Sequence, residues 1–129
     1  MAHAAYERSD IEAPDADRLH RALFGNPAKL HAWVATDMQD QPIGYATATI
    51  DFSTWRAREF MHLDCLYVEA GHRGEGIGRS LIDAVCVAAR ALELDELQWQ
   101  TPQWNVSAQR FYERLGAAAR PKMRFTLRL

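Results

Sequence analysis

The fifteen residues Leu66-Tyr67-Val68-Glu69-Ala70-Gly71-His72-Arg73-Gly74-Glu75-Gly76-Ile77-Gly78-Arg79-Ser80 join a β-type run, a glycine cluster and a helix start. The chemistry open to such a stretch is anion binding. Glycines let main-chain N–H groups approach an anion closely, and the following helix offers unpaired amides at the positive end of its dipole. Arg73 and Arg79 add formal positive charge. A glycine-rich turn between strand and helix would look the same, so spacing has to discriminate. A dinucleotide fingerprint needs G-x-G-x-x-G, whereas here Gly78 follows Gly76 one residue too early. A P-loop needs a terminal G-K-[S/T], and Gly78-Arg79-Ser80 lacks both the lysine and the four-residue spacer.

The elements that would position this loop are legible in the pattern. Phe60 to Val68 is rich in β-formers and reads as a buried strand running into the loop. From Ile77, apolar residues recur at Leu81, Val85, Ala88 and Leu92, one helix face uninterrupted by proline until Pro102. Upstream, Pro14 to Phe24 fits a short helix that starts at a proline and stops before Gly25-Asn26-Pro27. His31 to Thr36 and Pro42 to Phe52 flank a polar turn and read as a hairpin. Downstream, Leu97, Trp99 and Thr101 alternate as a strand ending at Pro102. Asn105 can cap a helix with the stripe Ala108, Phe111, Tyr112 and Leu115 and Gly116 as terminator. Met123, Phe125, Leu127 and Leu129 alternate with polar residues as a half-buried C-terminal strand. The order predicts an α/β (α+β) sheet with helices packed on it.

The 129 residues show no repeat, linker or low-complexity tract, so residues 1–129 read as one domain. Fifteen Lys and Arg against seventeen Asp and Glu give a formal charge of −2, without the basic excess that marks a nucleic-acid partner. The chain has no apolar run of membrane-span length, and Met1 to Asp10 is polar without a signal core, so a cytoplasmic setting is expected. Cys65 and Cys86 lack metal-ligand spacing and read as reduced thiols, with no metal expected.

Arg73-x-x-Gly76-x-Gly78 after Leu66-Tyr67-Val68 resembles the pyrophosphate motif Q/R-x-x-G-x-G/A of the GNAT superfamily of acyl-CoA-dependent N-acetyltransferases. Trp104-Asn105-x-x-Ala108-x-x-Phe111-Tyr112-x-x-Leu115-Gly116-Ala117 is similar to that family's second cofactor-contacting segment, in the family's order and at its separation. The resemblance runs from about Gly44 to the C-terminus. It is closest to the small polyamine and amino-compound acetyltransferases in Phe52-Ser53-Thr54-Trp55 and the strand after it. It implies a mixed, mainly antiparallel sheet flanked by helices, with a shortened N-terminus. It implies acetyl-CoA as co-substrate, no metal, and transfer to a primary amine by direct attack in a ternary complex. The acceptor is expected to be a small molecule; a protein lysine or N-terminus, or a non-catalytic acyl-CoA sensor, are the alternatives.

By the same resemblance, the strand segment Leu66, Tyr67 and Val68 lies along the cofactor, Leu66 and Val68 offering main-chain groups to its acetyl and pantetheine part. Gly74, Gly76, Ile77, Gly78 and Arg79 hold the pyrophosphate, with Glu75 contributing backbone only. Arg73 reaches the phosphates or braces the loop. Asn105 caps its helix and contacts the cofactor arm. Tyr112 is the expected acid for the departing thiolate, although periodicity alone makes it a packing residue like Phe111. Asp64 matches the acidic position on the strand and is the leading base, but Leu63-Asp64-Cys65 lacks the second acid of the polyamine-type L-E-D. His62, two residues away, is expected on the same face as a helper, and Cys65 on the opposite face in the core. Trp55, between two strands, is where the acceptor would approach. Only about thirteen residues precede the first helix, so either the acceptor site is open or a second subunit completes it as a homodimer.

Overall fold

The structure, a computed structural model, describes residues 14–129. The polar segment Met1 to Asp10 and any N-terminal strand lie outside the described residues. Helix α1 (Ala16–Phe24) starts one residue after Asp15, whose Oδ1 accepts from Asp17 N (2.8 Å) and Arg18 N (3.1 Å). The cap, rather than Pro14, therefore sets the start, and Gly25 closes the helix by donating to the Arg21 carbonyl. Strands β1 (His31–Thr36) and β2 (Pro42–Ser53) form the expected hairpin. Asp37 shapes its turn by accepting from the amides of Gln39 and Gln41.

Strand β3 (Arg58–Val68) pairs antiparallel with β2, and β4 (Leu97–Gln98) pairs parallel with β3, giving the order β1-β2-β3-β4. The sheet is thus mixed, mainly antiparallel and flanked by helices. Helix α2 (Ile77–Ala91) lies on one face, where Leu81, Ile82, Val85 and Ala89 pack on Ala46, Ala48, Met61 and Leu63. The small β2 side chains let the helix approach closely. Gly44 marks the limit, because a Cβ there would stand 2.8 Å from the Tyr67 carbonyl and 3.5 Å from the side chains of Ile77 and Leu81. Helix α3 (Val106–Arg114) begins at Asn105, whose Oδ1 accepts from Ala108 N at 3.1 Å, and it adds Phe111, Tyr112 and Leu115 to the same core.

Two sequence expectations fail at the far edge. The strand expected from Leu97 to Thr101 has only two paired residues, and its ladder stops opposite His62. Just beyond, Leu63 and Cys65 pair with adjacent β2 residues, Ala48 and Thr47, so Asp64 is an extra residue in a bulge. A bulge bends its strand and switches its hydrogen-bonding side, which ends the ladder. The C-terminal strand is the second failure. Met123, Phe125 and Leu127 alternate as expected but are each more than 80% exposed and form no strand. A strand needs an edge to pair with, and the short β4 offers almost none; Arg124 of the tail instead reaches the Gln100 side chain, just past the end of β4.

Candidate active site

Beyond His62, no strand among the described residues covers the edge of β3 that faces away from β2. Glu69 N–H donates to the Ile43 carbonyl, so by strand alternation the main-chain groups of Tyr67 and Cys65 turn toward β2. Those of Leu66 and Val68 turn to the open edge. The structure thus offers the main chain of Leu66 and the N–H of Val68 to a peptide-like ligand, the Val68 carbonyl being taken by Arg73, but spends the backbone of Tyr67 on the sheet.

The open edge runs directly into the glycine loop. Gly74 (φ 82°) and Gly76 (φ 81°) have left-handed backbones, and a Cβ at either would find nothing within 4 Å. Gly76 is the α2 N-cap and supplies no side chain, and the first helical bond goes from Ser80 N to the Gly76 carbonyl. The amides of Ile77, Gly78 and Arg79 therefore have no acceptor within the helix, the arrangement that suits an anion. Gly78 serves packing as well: its absent Cβ would stand 3.4 Å from the Phe111 ring, so α3 rests on the first turn of α2. Arg73 braces the loop, its Nε donating to the Val68 carbonyl at 3.2 Å. The Glu75 carboxylate turns to the His72 ring, 3.2 Å away, and Arg79 makes no ion pair among the described residues.

The bulge rearranges the residues of β3. Tyr45, Thr47 and Thr49 share one face of β2, and their partners Tyr67, Cys65 and His62 must share it too. The expectation that His62 shares a face with Asp64 while Cys65 enters the core is therefore corrected. His62 and Cys65 lie on the face opposite α2, and Asp64 occupies the bulge between them. The Cys65 thiol donates to Asp64 Oδ2 at 3.6 Å, and the rings of Tyr45 and Tyr67 stand 5.7 Å apart. Burial raises the Tyr45 phenol above its ordinary pKa, aided by Cys65, Tyr67 and Asp64. Tyr45 was passed over in the sequence because its partnership with Tyr67 exists only in the register; the alternation Tyr45, Thr47, Thr49 was its one local signal.

Tyr112 is half-buried, edge-on to Trp99 at 5.1 Å and 5.4 Å from the Phe111 ring. Trp33 and Trp99 pack on the core, whereas Trp55 is 99% exposed. Trp55 sits on the β2–β3 turn, at the end of β3 opposite the glycine loop. Its neighbours Arg56 and Arg58 tie that turn to Asp95 and Glu96. The structure therefore keeps Trp55 apart from the glycine loop and open edge.

The model of the acetyltransferase (GNAT) family matches residues 2–117. The chain belongs to that family. This acetyltransferase is 33% identical over 122 residues to a thialysine N-epsilon-acetyltransferase of Bos taurus, spanning 88% of this chain and 71% of the relative. It is 32% identical over 107 residues to a D-amino-acid N-acetyltransferase of Saccharomyces cerevisiae, spanning 81% and 66% respectively. Its fold matches that of an aminoglycoside acetyltransferase from an uncultured soil metagenomic sample, with a TM-score of 0.82 at 21% identity over 98% of this chain and 82% of that one. The protein is an enzyme, an N-acetyltransferase. Among the described residues, no helix is long and apolar enough to cross a membrane.

Proposed function

We propose that residues 1–129 act as one domain that transfers the acetyl group of acetyl-CoA to a small-molecule primary amine by direct attack in a ternary complex. The observation that carries this reading is the continuity of the β3 edge, which no strand among the described residues covers, with the glycine loop and with the N-terminus of α2, which has no side-chain cap. The edge matches a peptide-like arm, and the open space at Gly74 and Gly76 leaves room for a diphosphate against the backbone. Bound there, acetyl-CoA supplies an activated thioester carbonyl.

The chain's own residues do the rest. Leu66 and Val68 hold the arm by main-chain hydrogen bonds, and Gly74, Gly76, Ile77, Gly78 and Arg79 hold the diphosphate, with Glu75 lending backbone. Asn105 keeps its cap, and its amide NH₂ serves the arm. Asp64 takes the proton that an ammonium must shed before its nitrogen can bond to the acetyl carbon. As the carbon–sulfur bond breaks, Tyr112 gives its phenolic proton to the departing sulfur. Small-molecule acceptors are favoured by the relatives, which act on thialysine and D-amino acids. A homodimer is also part of the reading, supported by the exposed alternating residues of the C-terminal tail.

The test is titration calorimetry with acetyl-CoA, followed by thiol release with amino acids, polyamines, aminoglycosides and lysine peptides. Binding plus release with a small amine supports the reading. Release only with peptides moves the acceptor to protein, binding without release makes the protein a sensor, and no binding refutes the site. Light scattering that shows a monomer at high concentration refutes the dimer.

A further inference from the structure

The last carbonyl on the open edge of β3 already has a partner. Val68 turns its main-chain groups away from β2, and its carbonyl accepts from Arg73 Nε at 3.2 Å. The intervening chain builds this contact. His72 N donates to the Glu69 carbonyl at 2.9 Å and Arg73 N to the Ala70 carbonyl at 3.5 Å, so one tight turn at Ala70–His72 returns the Arg73 side chain to the strand end. Arg73 is exposed and makes no ion pair among the described residues; the Glu75 carboxylate two residues on is turned to His72, 3.2 Å away. A full positive charge therefore rests on a neutral carbonyl, directly before Gly74 and Gly76, where the space open to a diphosphate lies. A guanidinium gains more from a phosphate, which it can engage through two parallel N–H···O bonds, than from one carbonyl.

We infer that Arg73 is a two-position specificity residue: it occupies the Val68 carbonyl until a diphosphate draws it away, and only then is that carbonyl released to the arm of the same ligand. This role rests on the acetyl-transfer reading and adds a discrimination to it, for thioesters that carry a diphosphate and against those that carry the arm alone. The peptide-like arm of CoA has two amide N–H groups. Along the open edge their acceptors are the Leu66 and Val68 carbonyls, two residues or about 6.6 Å apart. A ligand without phosphates finds one of the two occupied and has to displace Arg73 with no new partner to offer the guanidinium. A ligand with a diphosphate supplies that partner in the same event. Arg73 thus couples the two halves of the cofactor site through one shared carbonyl, beyond bracing the loop.

The probes are CoA, pantetheine, which is the arm without phosphates, and inorganic pyrophosphate, titrated by calorimetry into the wild type and Arg73→Met. The variant keeps the aliphatic stem and loses every donor. It should bind pantetheine about 2- to 10-fold more tightly, and CoA and pyrophosphate about 5- to 50-fold more weakly. Changes of opposite sign are what the shared carbonyl requires. A residue that only braces the loop would weaken CoA and pantetheine together, and a merely solvated arginine would change neither; either result overturns the inference. The wild type provides a second test. Saturating pyrophosphate should tighten pantetheine about 2- to 10-fold by drawing Arg73 off the carbonyl, and pantetheine should tighten pyrophosphate by the same factor. In Arg73→Met this coupling should vanish. If the variant does not fold, the wild-type coupling decides alone, and its absence overturns the inference. A wild type that binds no CoA defeats the acetyl-transfer reading, whereas CoA binding without the opposite signs or the coupling defeats only the role of Arg73.

Discussion

Gly76→Ala and Gly71→Ala form a pair whose difference isolates one physical term. A Cβ at either position finds nothing within 4 Å, so neither variant suffers a clash. Both replace glycine and so share the same stabilising loss of unfolded-chain entropy, about 0.4–1 kcal/mol. Only Gly76 has a left-handed backbone, at φ 81°. The difference between the two variants should therefore equal the cost of placing an L-residue there, about 1–2 kcal/mol. For a chain of this size that corresponds to a melting temperature about 3–12 °C lower for Gly76→Ala than for Gly71→Ala, measured by calorimetry. A second readout ties the geometry to function. The space a methyl would fill at Gly76 is the space proposed for the diphosphate, so Gly76→Ala should also bind acetyl-CoA about tenfold more weakly, about 1.4 kcal/mol. Gly71→Ala should bind normally. Equal melting temperatures would refute the left-handed assignment at Gly76; equal acetyl-CoA affinities would refute the cradle while leaving the backbone argument standing.

Tyr112→Phe should bind acetyl-CoA as wild type but lower turnover by about 10² to 10⁴, read by thiol release; undiminished turnover removes Tyr112 as the acid. Met61 is 1% exposed in the core, so Met61→Ala should cost about 2–5 kcal/mol in denaturant unfolding, and a smaller loss would mean the site collapses onto α2. Asn105→Ala should cost about 0.5–2 kcal/mol by losing the bond to Ala108 N, with the α3 amides exchanging faster. Asp95 is held below its ordinary pKa chiefly by its hydrogen bond to Arg56. Its contribution is therefore present above the unfolded carboxyl value, about 3.9, and is lost as pH falls through the lower folded value. Amide exchange in the Trp55 turn should rise in that acidic window, and less so in Asp95→Asn; exchange that is flat with pH would show that the turn holds without the ion pair.

The parts of this protein that were legible in the sequence are those decided by near neighbours. Asn105 caps α3 because a short polar side chain reaches an amide three residues on, and Gly116 ends that helix with a left-handed backbone. The glycine loop and its order between strand and helix were readable for the same reason, as was the 15-residue stripe of α2. What the tertiary structure alone decided depends on partners distant in the chain. The bulge at Asp64 exists only in the register between β2 and β3, and it moved His62 and Cys65 to one face and ended the β4 ladder. Alternation in Met123 to Leu129 satisfied the local condition for a strand, yet a ladder also needs a free edge of sufficient length, and β4 supplies two residues. The meeting of Tyr45 and Tyr67 has the same origin: antiparallel pairing sets which side chains become neighbours, and no short-range pattern encodes that pairing.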